Sequence, residues 1–169
     1  GIFDESMTSF VNQLKIKKYI NCQTNSSNFG FNIFSKFSKS HLLCIDEQEF
    51  RLFSKNRHLP IDILLKKNKN NLRGYKNFII TMGKNGCFYK DSKNKISFAP
   101  TLFNRIKDTL GSGDAFFCGM IISDQIKALS PTEKNIFSHI FGGMHSNVFG
   151  NEKYITKQDL IFNLNHILS

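Results

Sequence analysis

Apolar residues recur along this chain with two different periods. Met7, Phe10, Val11 and Leu14 stand at helical spacing, so 5–17 predicts an amphipathic helix. Residues 18–22 then predict a short strand. His41–Ile45 is apolar without a break, as expected of a strand buried on both faces. Asp46 to Phe53 returns to helical spacing, and 60–67 predicts a short helix. Asn77–Thr81 predicts a central strand, 87–90 its neighbour and 96–99 one more. Three helices follow: 115–125, 131–149 starting at Pro131, and 157–168 through Leu160, Ile161, Leu164 and Ile167. Strands alternating with helices predict an α/β fold of three layers around a mostly parallel sheet. No internal repeat or domain linker interrupts the pattern.

Polar punctuation adds detail at four places. Asp46 followed by Glu49 has the form of a capping box, an acid accepting from the helix start and a second acid reaching back. Asn85-Gly86 is a hairpin-turn pair. Residues 23–32 form a polar loop too long for a tight turn, either a solvated connection or a carrier of binding groups. Gly142-Gly143 lies within a helical pattern at about 1 kcal/mol per glycine relative to alanine. Such a pair implies close helix packing or close approach of a ligand.

The stretch Asp108-Thr109-Leu110-Gly111-Ser112-Gly113-Asp114 carries the most chemistry. Glycines permit a tight turn and leave backbone N–H groups uncovered. A helix begins directly afterwards, so those groups join its unpaired first donors and the positive end of its dipole. That arrangement suits an anion, best a phosphate. Asp114 stands beside it, placed to accept a proton from an attacking hydroxyl. An anion hole with a base is the minimum equipment for phosphoryl transfer. The plainer alternative is a loop that ends in an acid favourable to a helix N-terminus.

The longer string resembles the C-terminal motif of the ribokinase/PfkB family of carbohydrate kinases, Asp-Thr-x-Gly-x-Gly-Asp before a helix rich in small residues. Asp108, Thr109, Gly111, Gly113 and Asp114 match it, and Gly119 supplies a small residue downstream. Thr81, Gly83 and Gly86 match the family's Thr-x-Gly-x-x-Gly segment. Glu49 matches the last position of its Asn-x-x-Glu motif, with Asp46 in place of the Asn. Ser138 stands where the family's adenine-side helix carries an Asn. The polar loop is similar to one in the branch allied to heptose-phosphate kinases and sugar nucleotidyltransferases.

The resemblance implies a ribokinase-like three-layer α/β/α fold and ATP-dependent phosphoryl transfer to a hydroxyl of a sugar or sugar phosphate. Asp114 would be the general base, and the N–H groups of Gly111, Ser112 and Gly113 the anion hole. Glu49, with Asp46, would support Mg²⁺, and Thr81, Gly83, Gly86, Ser138 and Gly142 would line the nucleotide. Asp108 and Gly150 would contribute to a monovalent-cation site. A side chain at Gly113 is expected to crowd the phosphate and strain the backbone. The matches cover residues 1–169 as the C-terminal part of the family's domain; the N-terminal part, with most sugar contacts and the lid, is expected upstream of Gly1. A sheet edge left open by that absence favours self-association, with a homodimer as one form.

Composition bounds the alternatives. A chain of 169 residues is expected to form one domain. No apolar run reaches the length of a membrane span, and the acidic start lacks the layout of a signal peptide. Cys22, Cys44, Cys87 and Cys118 are widely spaced, which predicts buried, reduced thiols in a cytoplasmic protein. The formal charge of +10 raises nucleic acid as a partner. The lysines are nevertheless dispersed among asparagines, which argues against a nucleic-acid patch and leaves a field favourable to polyphosphates. Two rivals to a kinase remain: a nucleotide-binding remnant without turnover, and a basic nucleic-acid-binding domain.

Overall fold

The computed structural model describes residues 3–24, 30, 33–103, 107–149 and 152–168. The described chain forms two compact units. The first comprises residues 1–82 with 87–98, and the second 83–86 with 99–169.

The first unit holds a sheet of five strands in the order β1-β2-β3-β4-β5: Tyr19–Asn21, Ser40–Asp46, Tyr75–Thr81, Cys87–Lys90 and Ile96–Ala99. β1, β2 and β3 run parallel, with Leu43 opposite Phe78 and Asp46 opposite Thr81. β4 returns antiparallel to β3, so the Asn85-Gly86 turn closes a hairpin as expected. Leu42, Leu43, Cys44 and Ile45 are all buried, as are Phe78, Ile79 and Ile80. Consecutive residues of a strand face opposite ways, so β2 and β3 are covered on both faces along their apolar segments 42–45 and 78–80.

Helix α1 (Glu5–Gln13) stops four residues short of the periodic pattern, at the extended Leu14. Asp4 caps it by accepting from the Met7 N–H at 2.8 Å. Met7 and Phe10 of its apolar stripe are exposed, while Val11 packs on the core. α2 (Glu47–Ser54) and α3 (Ile61–Lys67) complete the unit. Their apolar residues Phe50, Ile61, Leu64 and Leu65 join Phe34, Tyr75 and Phe78 in one cluster. Phe50 and Phe34 meet Phe78 edge-on at centroid distances of 5.5 and 5.9 Å. Rings in this geometry contribute beyond their buried area.

The second unit is built on α4 (Ser112–Gln125), α5 (Pro131–Ser146) and α6 (Lys157–Leu168). α5 opens with Pro131 at its first position and a capping box between Ser130 and Glu133. Lys134 of α5 pairs with Asp124 of α4 at 3.1 Å, both largely buried. The glycines of this pair answer the question that Gly142-Gly143 raised. A Cβ on Gly142 would lie 3.2 Å from the Ser112 carbonyl oxygen and 3.3 Å from the Phe116 Cβ. On Gly119 it would lie 3.0 Å from the Ser138 Cα. Close helix packing therefore accounts for Gly142 and Gly119, whereas a Cβ on Gly143 would run into the Phe103 ring.

The four cysteines are free. Cys22, Cys44 and Cys87 are buried as expected, and burial pushes the Cys22 and Cys87 thiols up to about 11 and about 12. Cys118 is exposed, contrary to expectation. It lies on α4, away from the α5-facing side that Gly119 and Phe116 form, and apolar neighbours in sequence do not reveal which side of a helix is covered.

Candidate active site

The glycine-rich loop is shaped by its own backbone. Gly111 is the N-cap of α4 and adopts φ +74°, the left-handed region that side chains other than glycine avoid. Its carbonyl accepts from the Ala115 N–H at 2.9 Å, which starts the helix. The Asp108 carboxylate accepts from the Leu110 N–H at 2.9 Å, and the Ser112 hydroxyl donates to the Thr109 carbonyl at 2.8 Å. The last turn of α5 holds the loop from outside. The Ser146 carbonyl accepts from the Lys107 and Asp108 N–H groups at 2.8 and 3.1 Å, and His145 Nε2 lies 3.0 Å from the Leu110 carbonyl oxygen.

Of the three expected anion-hole residues, Ser112 has its N–H turned back to the Thr109 carbonyl at 3.2 Å. Gly113 is exposed, and a Cβ built on it meets no atom within 4 Å. Its φ is not positive, so the expected backbone strain at Gly113 is absent; the strained position is Gly111. A sequence shows two glycines two residues apart but not which one turns the chain. Asp114 lies exposed in the first turn of the 14-residue α4, where the helix dipole favours negative charge.

Ser138 sits wholly buried on α5 and donates its hydroxyl to the Lys134 carbonyl at 2.8 Å. Its neighbour His139 is also buried, edge-on to the Phe116 ring at 5.1 Å, and burial pulls its pKa down to about 4. Sequence reasoning passed over His139, which is a neutral imidazole in the α4–α5 interface. The turn at 83–86 belongs to this second unit, and both Gly83 and Gly86 have positive φ. A Cβ on Gly86 would run into the Ala99 carbonyl oxygen.

Within the first unit, Asp46, Glu49 and Thr81 gather at the C-terminal ends of β2 and β3. Asp46 and Glu49 do form the capping box: Asp46 Oδ1 accepts from the Glu49 N–H at 2.7 Å, and Glu49 Oε2 from the Asp46 N–H at 2.9 Å. Glu49 Oε1 is buried with no hydrogen-bond partner. Burial pushes the Glu49 carboxyl up to about 7, against the opposing effects of the Asp46 N–H and of Thr24. The Thr81 hydroxyl donates to the Ile45 carbonyl at 3.4 Å. Gly150 and most of the polar loop at 23–32 lie outside the described residues.

No curated protein matches the sequence. Among solved structures, the chain is similar to ribokinase from Thermotoga maritima, with a TM-score of 0.75 and 18% identity over 95% of this chain and 52% of that one. It is similar to Arabidopsis thaliana ribokinase in complex with ribose and ATP, with a TM-score of 0.76 and 14% identity over 95% and 51%. Escherichia coli phosphofructokinase-2 in complex with potassium gives 0.75 and 14% over 98% and 52%. The chain therefore spans about half the length of these structures. Their fold is the α/β arrangement expected from the alternation of strands and helices, in the ribokinase-like form that the resemblance implies. The model of the pfkB family of carbohydrate kinases matches residues 15–123, well over half of the sequence, and this chain belongs to that family.

Proposed function

We propose that this chain carries the nucleotide and catalytic-base half of an ATP-dependent carbohydrate kinase that phosphorylates a hydroxyl of a sugar or sugar phosphate. The observation that carries the reading is the N-terminus of α4. An open glycine, Gly113, and an acid, Asp114, stand together in the first turn of a long helix, behind a loop braced by α5. Family membership supports the reaction class.

The residues present fit the groups that this reading requires. The space over Gly113 admits a phosphate oxygen close to the backbone, and the helix start favours its charge. The buried, unpartnered Glu49 Oε1 suits a hard cation or a cation-bound water. Among the described residues no three His, Cys, Asp or Glu side chains are grouped to hold a metal alone. Glu49 would therefore act as one of few protein ligands. When bound, ATP would supply the transferred γ-phosphoryl group and Mg²⁺ would supply neutralising positive charge.

Asp114 takes the proton of the acceptor hydroxyl at its carboxylate, and the Gly111 and Gly113 N–H groups steady negative charge on the group in transfer, the Ser112 N–H being held by the Thr109 carbonyl. Thr81, Gly83, Gly86 and Gly142 are assigned to the nucleotide side, where Ser138 contributes from inside the helix pair. Asp108 and Gly150 are assigned to a monovalent-cation site. Most sugar contacts are assigned to the N-terminal part of the family's domain.

The Ser112 N–H, taken up by the Thr109 carbonyl, favours a second reading, a nucleotide-binding remnant without turnover. Calorimetry with Mg·ATP, beside a coupled ADP assay on the chain joined to a complementing N-terminal part, separates the two. Sugar-dependent ADP release that Asp114→Asn abolishes supports the kinase. ATP binding without turnover in that joined protein identifies the remnant, and neither binding nor turnover removes both.

A further inference from the structure

The N-terminal ends of β1 and β2 form a cleft of about 520 Å³, walled by Lys15, Lys17, Lys18 and Lys39 and floored by Ser40 and His41. These groups lie at the opposite end of the sheet from Asp46 and Thr81, separated along the seven residues of β2 by about 20 Å. No carboxylate is among the residues lining the cleft. Four lysines thus line one concavity with no carboxylate among its described lining residues, although Lys39 is 21 residues from Lys18 in sequence. We propose that this cleft is an anion site for a polyphosphate group, distinct from the α4 site and independent of the kinase reading.

Two of the four cations are held in place before any ligand arrives. Lys18 Nζ donates to the Val11 and Asn12 carbonyls at 2.9 and 3.2 Å, which ties it to the end of α1. Lys17 Nζ lies 5.2 Å from the centre of the Tyr19 ring, and that ring packs on His41 at 5.4 Å. Lys15 and Lys39 are exposed arms that close from either side at little cost to the fold. Ser40, among the lining residues, is buried, and its Oγ has no hydrogen-bond partner.

The volume exceeds the need of one phosphate and falls in the range of small-molecule sites. A surface that tracks nucleic acid spreads its cations along a groove with exposed stacking rings. Here they converge on one concavity and the neighbouring rings pack on each other, which favours a compact polyanion. Inorganic polyphosphate and a nucleoside triphosphate share the required chemistry.

The test is an amide-resolved NMR titration of the 169-residue chain at low salt with tripolyphosphate, ATP, sulfate and a single-stranded DNA oligonucleotide. Saturable shifts at residues 15–18 and 39–41 are expected with tripolyphosphate, weaker ones with sulfate, and loss of both as salt rises. Shifts at 109–114 report the α4 site separately. Equal affinity for tripolyphosphate and ATP at 15–18 and 39–41 identifies the phosphates as the recognised group; tighter ATP binding there identifies a nucleotide. Either outcome supports the site. Lys15→Gln with Lys39→Gln is expected to weaken tripolyphosphate by about tenfold, while the charge-matched pair Lys67→Gln and Lys69→Gln changes it by less than about twofold. Equal weakening by both pairs, no shifts at 15–18 and 39–41, or tighter binding of the oligonucleotide than of tripolyphosphate overturns the proposal. All four lysines are outside the core, and a thermal melt of each variant verifies the fold.

Discussion

His145 Nε2 lies 3.0 Å from the Leu110 carbonyl oxygen and 2.7 Å from where a Cβ on Gly111 would stand. One imidazole on α5 thus fixes the loop and closes off the only side from which Gly111 could carry a side chain. Gly111→Ala meets two penalties, the left-handed backbone at φ +74° and the imidazole. A loss of about 1–3 kcal/mol is expected in urea unfolding. Adding His145→Ala relieves the contact and not the backbone, so it recovers only part of the loss. Full recovery in the double variant would show that the backbone conformation costs nothing.

Gly113 predicts the opposite behaviour. Its φ is ordinary and the space around it is open, so Gly113→Val leaves the melting temperature nearly unchanged. The isopropyl group then occupies the approach to the start of α4. Binding of ATP is expected to weaken about tenfold or more while adenosine binding holds, as read by calorimetry. Equal weakening of both ligands would place the phosphates elsewhere.

The buried Glu49 gives the fold a pH dependence of definite sign. Its pKa rises from the model-peptide 4.5 to about 7 in the folded chain, because burial disfavours the carboxylate. Between those values the folded state binds more protons than the unfolded one, so stability falls as pH rises. Stability from the protonated group is complete below about pH 4.5 and lost by about pH 7, a change of up to about 3 kcal/mol. Glu49→Gln is expected to flatten this dependence in urea titrations. Mg²⁺, if it meets the free Oε1, stabilises the wild type more at pH 8 than at pH 5 and leaves Glu49→Gln unaffected. A pH-independent Mg²⁺ effect would remove Glu49 as its ligand.

The chain by itself is expected to bind Mg·ATP weakly and to show no sugar-dependent ADP release above background. Positioning the acceptor accounts for roughly 7–11 kcal/mol of a barrier in favourable cases. In the proposed reading the groups that position the sugar lie outside this sequence. A coupled assay across hexoses, heptoses and their phosphates, with Asp114→Asn as control, tests this. Robust turnover absent from that control would show that these residues suffice.

Several features were legible in the sequence because local chemistry dictates them. The continuous apolar run at 41–45 specifies a strand covered on both faces, Phe78-Ile79-Ile80 specifies its central neighbour, and Asn85-Gly86 specifies the hairpin that reverses β4. Asp46 and Glu49 stand three residues apart, the separation that a first helical turn needs to close a capping box. The run from Asp108 to Asp114 specifies a glycine turn entering a helix with an acid in its first turn, which depends only on neighbours along the chain.

What tertiary structure alone decided depends on residues far apart in sequence. Only the folded backbone shows that Gly111 and not Gly113 is left-handed, and only folding brings His145, 34 residues away, against Gly111. The reason for Gly142 emerged only when Ser112 and Phe116 came within 3.4 Å of its missing side chain. Helical spacing marked Met7 and Phe10 as apolar but did not say that the stripe would be left partly exposed, since covering a stripe requires another element. The lysines look dispersed as a string, and folding sets Lys39 beside Lys15, Lys17 and Lys18 because β1 and β2 begin side by side in a parallel sheet. Backbone chemistry acts over three or four residues and can be read along the chain. Packing and the electrostatic field act through space, and the sheet register sets those distances.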